Sequence, residues 1–221
     1  MSKIDLTKPL LIMLYGYPGA GKSYFARQLA QNLRATHVQG EKIRNDLFEH
    51  PRYDKQENNA VSQLMDYMTE EFIAAGISVI YDTNALRAAQ RHRLRDVSRK
   101  SNAQPLVVWI QIDAESAFLR TQKRDRRRVD DRYSSPIDRT TFDSILSYMQ
   151  NPTNAEDYVV ISGKHEFSTQ LSAILKKLHD MNMLHVNDVG AGLPKPGLVN
   201  LIPNPSGGRV DATRRRNIMI R

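Results

Sequence analysis

The 221-residue chain contains no cysteine. Disulfides and thiolate metal sites are excluded, and the composition suits a reducing compartment, so a cytoplasmic location is the expectation. No stretch approaches the ~20 consecutive apolar residues of a membrane span. The start, Met1 to Asp5, lacks the form of a signal peptide. No internal repeat is present. The six histidines are scattered. No His-Glu-x-x-His pattern offers a zinc site, and no Gly-x-Ser-x-Gly turn offers a serine nucleophile.

Charge is plentiful and unbalanced, with 32 Lys and Arg against 24 Asp and Glu, a net charge of +8. A basic surface favours polyanions such as nucleic acid, nucleotides or acidic membranes. Solubility accounts for it equally well. Half of the excess falls in residues 185–221, where six Lys and Arg face two Asp. That segment is crowded with glycine and proline and ends in Arg214, Arg215, Arg216 and Arg221. It reads as a flexible or extended basic tail.

The first 184 residues have a different pattern. Leu10 to Tyr15 form an apolar run of strand length, and Lys22 to Leu33 have helical periodicity. Between them stands Gly16-Tyr17-Pro18-Gly19-Ala20-Gly21-Lys22-Ser23, a complete phosphate-binding loop (Walker A). In a strand–loop–helix unit, glycines let the backbone curl around phosphates while amides and the positive end of the helix face the anion. Gly16, Gly19, Ala20, Gly21, Lys22 and Ser23 are therefore the nucleotide-binding candidates. Lys22 would reach the β- and γ-phosphates and the Ser23 hydroxyl would bind Mg²⁺. No guanine-reading Asn/Thr-Lys-x-Asp motif is visible, so ATP is the expected triphosphate.

Further along, strands are expected at 36–39, 77–81, 106–112 and 158–161. Helices are expected near Glu41, over 56–75 and 86–100, from Asp113 into an arginine-rich segment, and over 138–149 and 167–179. Strands alternating with helices predict an α/β fold: a doubly wound parallel sheet of about five strands.

Asp82 follows an apolar strand, at the edge where such sheets gather ligands. It can hold Mg²⁺, with Thr83 and Asn84 beside it, or it can cap a helix; one side chain can do both. Glu41 and Arg44 share a helix face. A carboxylate there could take a proton from an attacking hydroxyl while the arginine grips an acceptor phosphate. The pair could equally be an exposed i,i+3 ion pair of small worth. Asp46 competes for the base role. Arg120, Lys123, Arg124, Arg126, Arg127, Arg128 and Arg132 form the densest basic cluster. It reads as a solvated or nucleic-acid-binding face, or as a lid carrying an arginine for the transferred phosphoryl group. Arg120 and Arg124, one turn apart, are expected on the same side.

In this order the motifs resemble the P-loop kinases that include the polynucleotide 5′-hydroxyl kinases, the zeta-toxin-like kinases and small-molecule kinases. The loop at Gly16–Ser23 is similar to theirs. Glu41-Lys42-Ile43-Arg44 stands where the family has Asp-x-x-Arg, with Glu in place of Asp. Asp82-Thr83-Asn84 is followed by a helix bearing Arg87 and Arg91. Arg120 and Arg124 match the lid arginines, and Pro136-Ile137-Asp138 opens the next helix. The resemblance spans 9–179. It implies a kinase domain at 1–184 that moves the γ-phosphoryl group of ATP to a hydroxyl. Glu41 would be the base, Lys22 and Arg124 would stabilise the transferred group, and Arg120 would contact the nucleotide. Arg44, Asp82, Thr83 and Asn84 would meet the acceptor. A polynucleotide 5′-hydroxyl is the leading acceptor; a sugar or nucleotide is the alternative. A nucleotide-dependent switch with no acceptor is the reading from a different class, against which Glu41 and Arg44 argue.

Overall fold

A computed structural model describes residues 3–83, 87–127, 131–134 and 136–184. Asn84, Arg128 and the whole 185–221 tail lie outside the described residues. The elements are β1 (Leu10–Tyr15), α1 (Lys22–Asn32), β2 (Ala35–Gln39), α2 (Gly40–Leu47), α3 (Lys55–Ala74) and β3 (Ser78–Asp82). They continue with α4 (Ala88–Lys100), β4 (Gln104–Gln111), α5 (Ala114–Gln122), α6 (Arg139–Ser147), β5 (Tyr158–Ser162) and α7 (Phe167–Asp180).

The five strands form one parallel sheet in the order β2-β3-β1-β4-β5. β1 lies at its centre and all six of its residues are buried. A strand covered on both faces is apolar throughout, which explains its unbroken hydrophobic run. Its alternate side chains serve two cores. Leu10, Ile12 and Leu14 pack with Phe25 and Leu29 of α1 and with Ile174, Leu175 and Leu178 of α7. Leu11, Met13 and Tyr15 pack with Val61, Met65 and Ile73 of α3 and with Leu94 of α4. The predicted doubly wound sheet is the observed one.

Two element boundaries depart from expectation for identifiable reasons. β4 starts at Gln104 rather than Leu106 and takes in Pro105. β5 pairs with it only from Val107 onward, so the proline, which has no N–H to donate, lies where β4 has a single neighbour. The helix opening at Asp113 ends at Gln122 instead of running into the arginine-rich segment. Asp113 caps it as expected, accepting from Ser116 N at 2.8 Å. No helix among the described residues is long and apolar enough to cross a membrane.

Candidate active site

β1 delivers the chain into the loop at 16–21. Gly19 has φ 83°, and a Cβ there would lie 2.1 Å from the Ala117 carbonyl oxygen of α5. Only glycine permits both this left-handed backbone and the close approach. Gly21, at φ 97°, stands at the N-cap of α1, with no side-chain cap and no acidic residue in the first turn. A Cβ at Gly21 would meet nothing within 4 Å. The amino end of α1, with Ser23 in its first turn, therefore opens onto space suited to an anion. Lys22 folds back over the loop, and its Nζ donates to Gly16 O at 2.8 Å and Tyr17 O at 2.9 Å. Burial lowers its pKa to about 8; Asp82 opposes that shift and Arg124 adds to it. A buried cation, neutral hydrogen-bond partners and an uncapped helix end together fit the phosphates of a nucleotide.

Asp82 ends β3, beside β1 at the carboxyl edge of the sheet. It is buried, and its Oδ2 lies 2.9 Å from His37 Nε2. Sequence reasoning gave His37 no role. Gln39 of β2 is in register with Asp82, and His37 stands two residues earlier on the same strand face. Only the strand register makes that pairing visible. Thr83 follows, partly buried. No group of three or more His, Asp or Glu that could hold a metal occurs among the described residues. Mg²⁺ needs no such cage, since one or two protein oxygens usually suffice alongside substrate phosphates and water. Ser23 in the first turn of α1 and Asp82 at the end of β3 are oxygen ligands of the kind such an ion takes.

Glu41 and Arg44 share α2 as expected, with Arg44 Nε 3.8 Å from Glu41 Oε2. Arg44, however, is only 5% exposed. Its Nη1 pairs with Glu57 at 3.3 Å, its Nη2 donates to Asn58 at 2.6 Å, and its guanidinium lies 4.6 Å from the Tyr53 ring centre. The fork that was to grip an acceptor phosphate is thus committed to α3. Tyr53, which the sequence did not single out, donates its hydroxyl to Glu41 Oε2 at 3.1 Å. Burial raises the Glu41 pKa; Arg44, the Tyr53 hydrogen bond and Arg124 pull it back, and Asp82 adds to the rise. Asp46, the rival base, is exposed.

α5 ends between Arg120 and Arg124, and each has its own partners. Arg120 Nη1 donates to Gly163 O at 2.9 Å, beside the phosphate loop, where a Cβ on Gly163 would sit 2.7 Å from Ala20 O. Arg124 lies in the turns after α5, where burial lowers its pKa against the pull of Asp131, Glu41 and Tyr53. It bears on Lys22 and Glu41 together. Arg126 reaches Asn45 at 3.3 Å and ties this segment to α2. Asn45, Glu49, His50, Pro51, Tyr53 and Arg126 line an open cleft of about 310 Å³ beside Glu41. Arg91 belongs elsewhere. It is fully buried and pairs through Nε and Nη2 with Glu156 at 2.7 and 3.0 Å.

A parallel sheet with a phosphate loop after its central strand and an acid ending the neighbouring strand defines a P-loop nucleotide-binding protein of the α/β class. More narrowly, the chain belongs to the AAA domain family, whose match covers residues 11–152. No curated protein matches it significantly. Among solved structures it is similar to a sugar kinase from Janibacter sp. HTCC2649, at 14% identity over 79% of this chain and 96% of that one, with a TM-score of 0.59. It is similar to Kti12 of Chaetomium thermophilum in complex with ADP-AlF3, at 15% identity over 79% and 99%, with a TM-score of 0.60. It is also similar to the Mycobacterium tuberculosis APS kinase CysC in complex with AMPPNP and APS, at 16% identity over 78% and 98%, with a TM-score of 0.56. At such identities the likeness is one of fold.

Proposed function

We propose that this protein is an ATP-dependent kinase that phosphorylates a hydroxyl group of a small molecule. The observation that carries the reading is a half-buried Glu41 whose hydrogen-bond partner Tyr53 lines a cleft, with Arg124 bearing on both its charge and that of Lys22. A nucleotide switch has no use for a carboxylate so placed. The kinase neighbours support the reading through their shared fold. The small-molecule kinases among the structures of similar fold favour a small acceptor over a polynucleotide end, for which the net charge of +8 remains the argument.

The amides of Gly19, Ala20, Gly21, Lys22 and Ser23, with the Lys22 ammonium, would hold the ATP phosphates. Ser23 and Asp82 would hold Mg²⁺, which when bound supplies neutralisation of phosphate charge. Glu41 takes the acceptor's proton as the acceptor oxygen bonds to the γ-phosphorus. The bond from the γ-phosphorus to the bridging oxygen breaks, and ADP leaves. A pKa raised by burial makes Glu41 a stronger base than an ordinary carboxylate. Arg124 offsets charge on the transferred group, and Arg44 holds Glu41 in place. Thr83, and Asn84 next to it, would meet the acceptor.

Incubation with γ-labelled ATP and a panel of sugars, nucleosides and 5′-hydroxyl oligonucleotides is expected to label a sugar or nucleoside. Label on oligonucleotides alone would restore the polynucleotide reading, and label in free phosphate alone would favour the switch. Glu41→Gln is expected to slow transfer by about 10²–10⁴-fold with ATP affinity unchanged. A slow Asp46→Asn variant with normal Glu41→Gln would move the base to Asp46.

A further inference from the structure

Tyr53 has φ 58°, a left-handed backbone that bulky side chains rarely adopt. A turn needing only that conformation would use glycine or asparagine. The surroundings hold the tyrosine there. The carboxylate of buried Glu57 accepts from the backbone N–H of Arg52 at 2.9 and 3.0 Å and from that of Tyr53 at 2.8 Å. Asn58 Nδ2 donates to the Tyr53 carbonyl at 3.1 Å. Arg44 stacks under the ring and pairs with the same Glu57. Backbone strain kept by so many contacts points to a side chain that must stand in one place. That side chain reaches Glu41 and forms part of the cleft wall.

We propose that Tyr53 is a positioning residue: through its hydroxyl it holds the Glu41 carboxylate in place beside the cleft that Tyr53 lines, and the strained turn on Glu57 holds Tyr53. The proposal rests on the reading of Glu41 as the base. Four groups bear on Glu41 from the elements around it: Arg44 on its own helix, Tyr53 in the turn before α3, Arg124 after α5 and Asp82 at the end of β3. The Tyr53 hydroxyl stabilises the ionised carboxylate, so its loss makes Glu41 take up a proton at higher pH. The base is then protonated over more of the acid range, and the acid limb of the rate moves to higher pH.

Tyr53→Phe keeps the ring over Arg44 and the turn, and removes only the hydroxyl. The full-length chain is labelled with ¹³C at its glutamate carboxyls, and the Glu41 signal is assigned by its absence in Glu41→Gln. Mg²⁺-ATP consumption is followed against pH, with water as the acceptor. The expected result in Tyr53→Phe is a Glu41 signal that titrates at higher pH, an acid limb shifted the same way, a rate at the optimum lower by about ten-fold and an unchanged KM for ATP. Tyr53→Asn, which tolerates the left-handed backbone, is expected to shift the titration equally. An unmoved Glu41 titration overturns the proposal even if Glu41→Gln is inactive, in which case the base assignment stands. A moved titration with a fully active Glu41→Gln removes the base assignment, and the positioning role falls with it.

Discussion

Lys22 is a charge held where water hardly reaches it. Its pKa of about 8, against an ordinary 10.5, reflects burial first, with Asp82 opposing the shift and Arg124 adding to it. Between those two values the unfolded chain binds the proton more tightly than the folded chain. The folded protein without nucleotide therefore gains stability from this residue as pH rises from about 8 toward 10.5. The full gain is on the order of 3 kcal/mol. Thermal melts of the wild type and Lys22→Met are expected to lie furthest apart from this cause below about pH 8, with the wild type the less stable, and to converge as pH rises toward 10.5. ATP should raise the Tm of the wild type and not of the variant, because the charge that meets the phosphates is gone. A variant still stabilised by ATP would remove Lys22 from the nucleotide site.

Between elements, Arg91 is tied to Glu156 by two hydrogen bonds. It joins α4 to the segment that leads into β5, and Arg91 also donates to the carbonyls of Gln150 and Asn151 at 2.8 and 3.3 Å. Arg91→Leu leaves the buried Glu156 carboxylate with only the Thr153 amide at 3.1 Å and Arg95 at 3.6 Å, and the cost is expected to be about 3 kcal/mol by denaturant titration. Burial alone would raise the Glu156 pKa; the Arg91 hydrogen bonds, the Thr153 amide and Arg95 outweigh it and bring it below 4.5. The pair's contribution is therefore complete above the ordinary carboxylate range and is lost as pH falls through the folded value. The wild type should lose stability on acidification more steeply than Arg91→Leu. Equal acid sensitivity would show that other carboxylates govern acid unfolding.

At the scale of the whole molecule, the parallel sheet and its covering helices lie within 3–184. A chain ending at Leu184 is expected to fold with an unchanged Tm, with its net charge reduced from +8 to +4. Any binding to nucleic acid should weaken and depend less on salt, because fewer counterions are displaced. A shortened chain that cannot fold would show that residues of the 185–221 segment dock on the domain.

Patterns along the chain were enough for the parallel sheet, the phosphate loop and the cap at Asp113. These rest on local rules: periodicity, chain reversal at glycine, and a side chain reaching an amide three residues away. The sequence also marked Lys22, Glu41 and Asp82, because each follows a strand at the edge where ligands gather. Only the tertiary structure decided what each of them meets. Arg44 read as an acceptor clamp until α3 brought Glu57 and Asn58 against it. Arg120 and Arg124 read as one face until α5 ended between them. His37 and Tyr53 had no motif, since their partners lie 45 and 12 residues away in the chain. Pairings of that kind depend on strand register and loop path, which are set by packing across the whole domain rather than by neighbours in sequence.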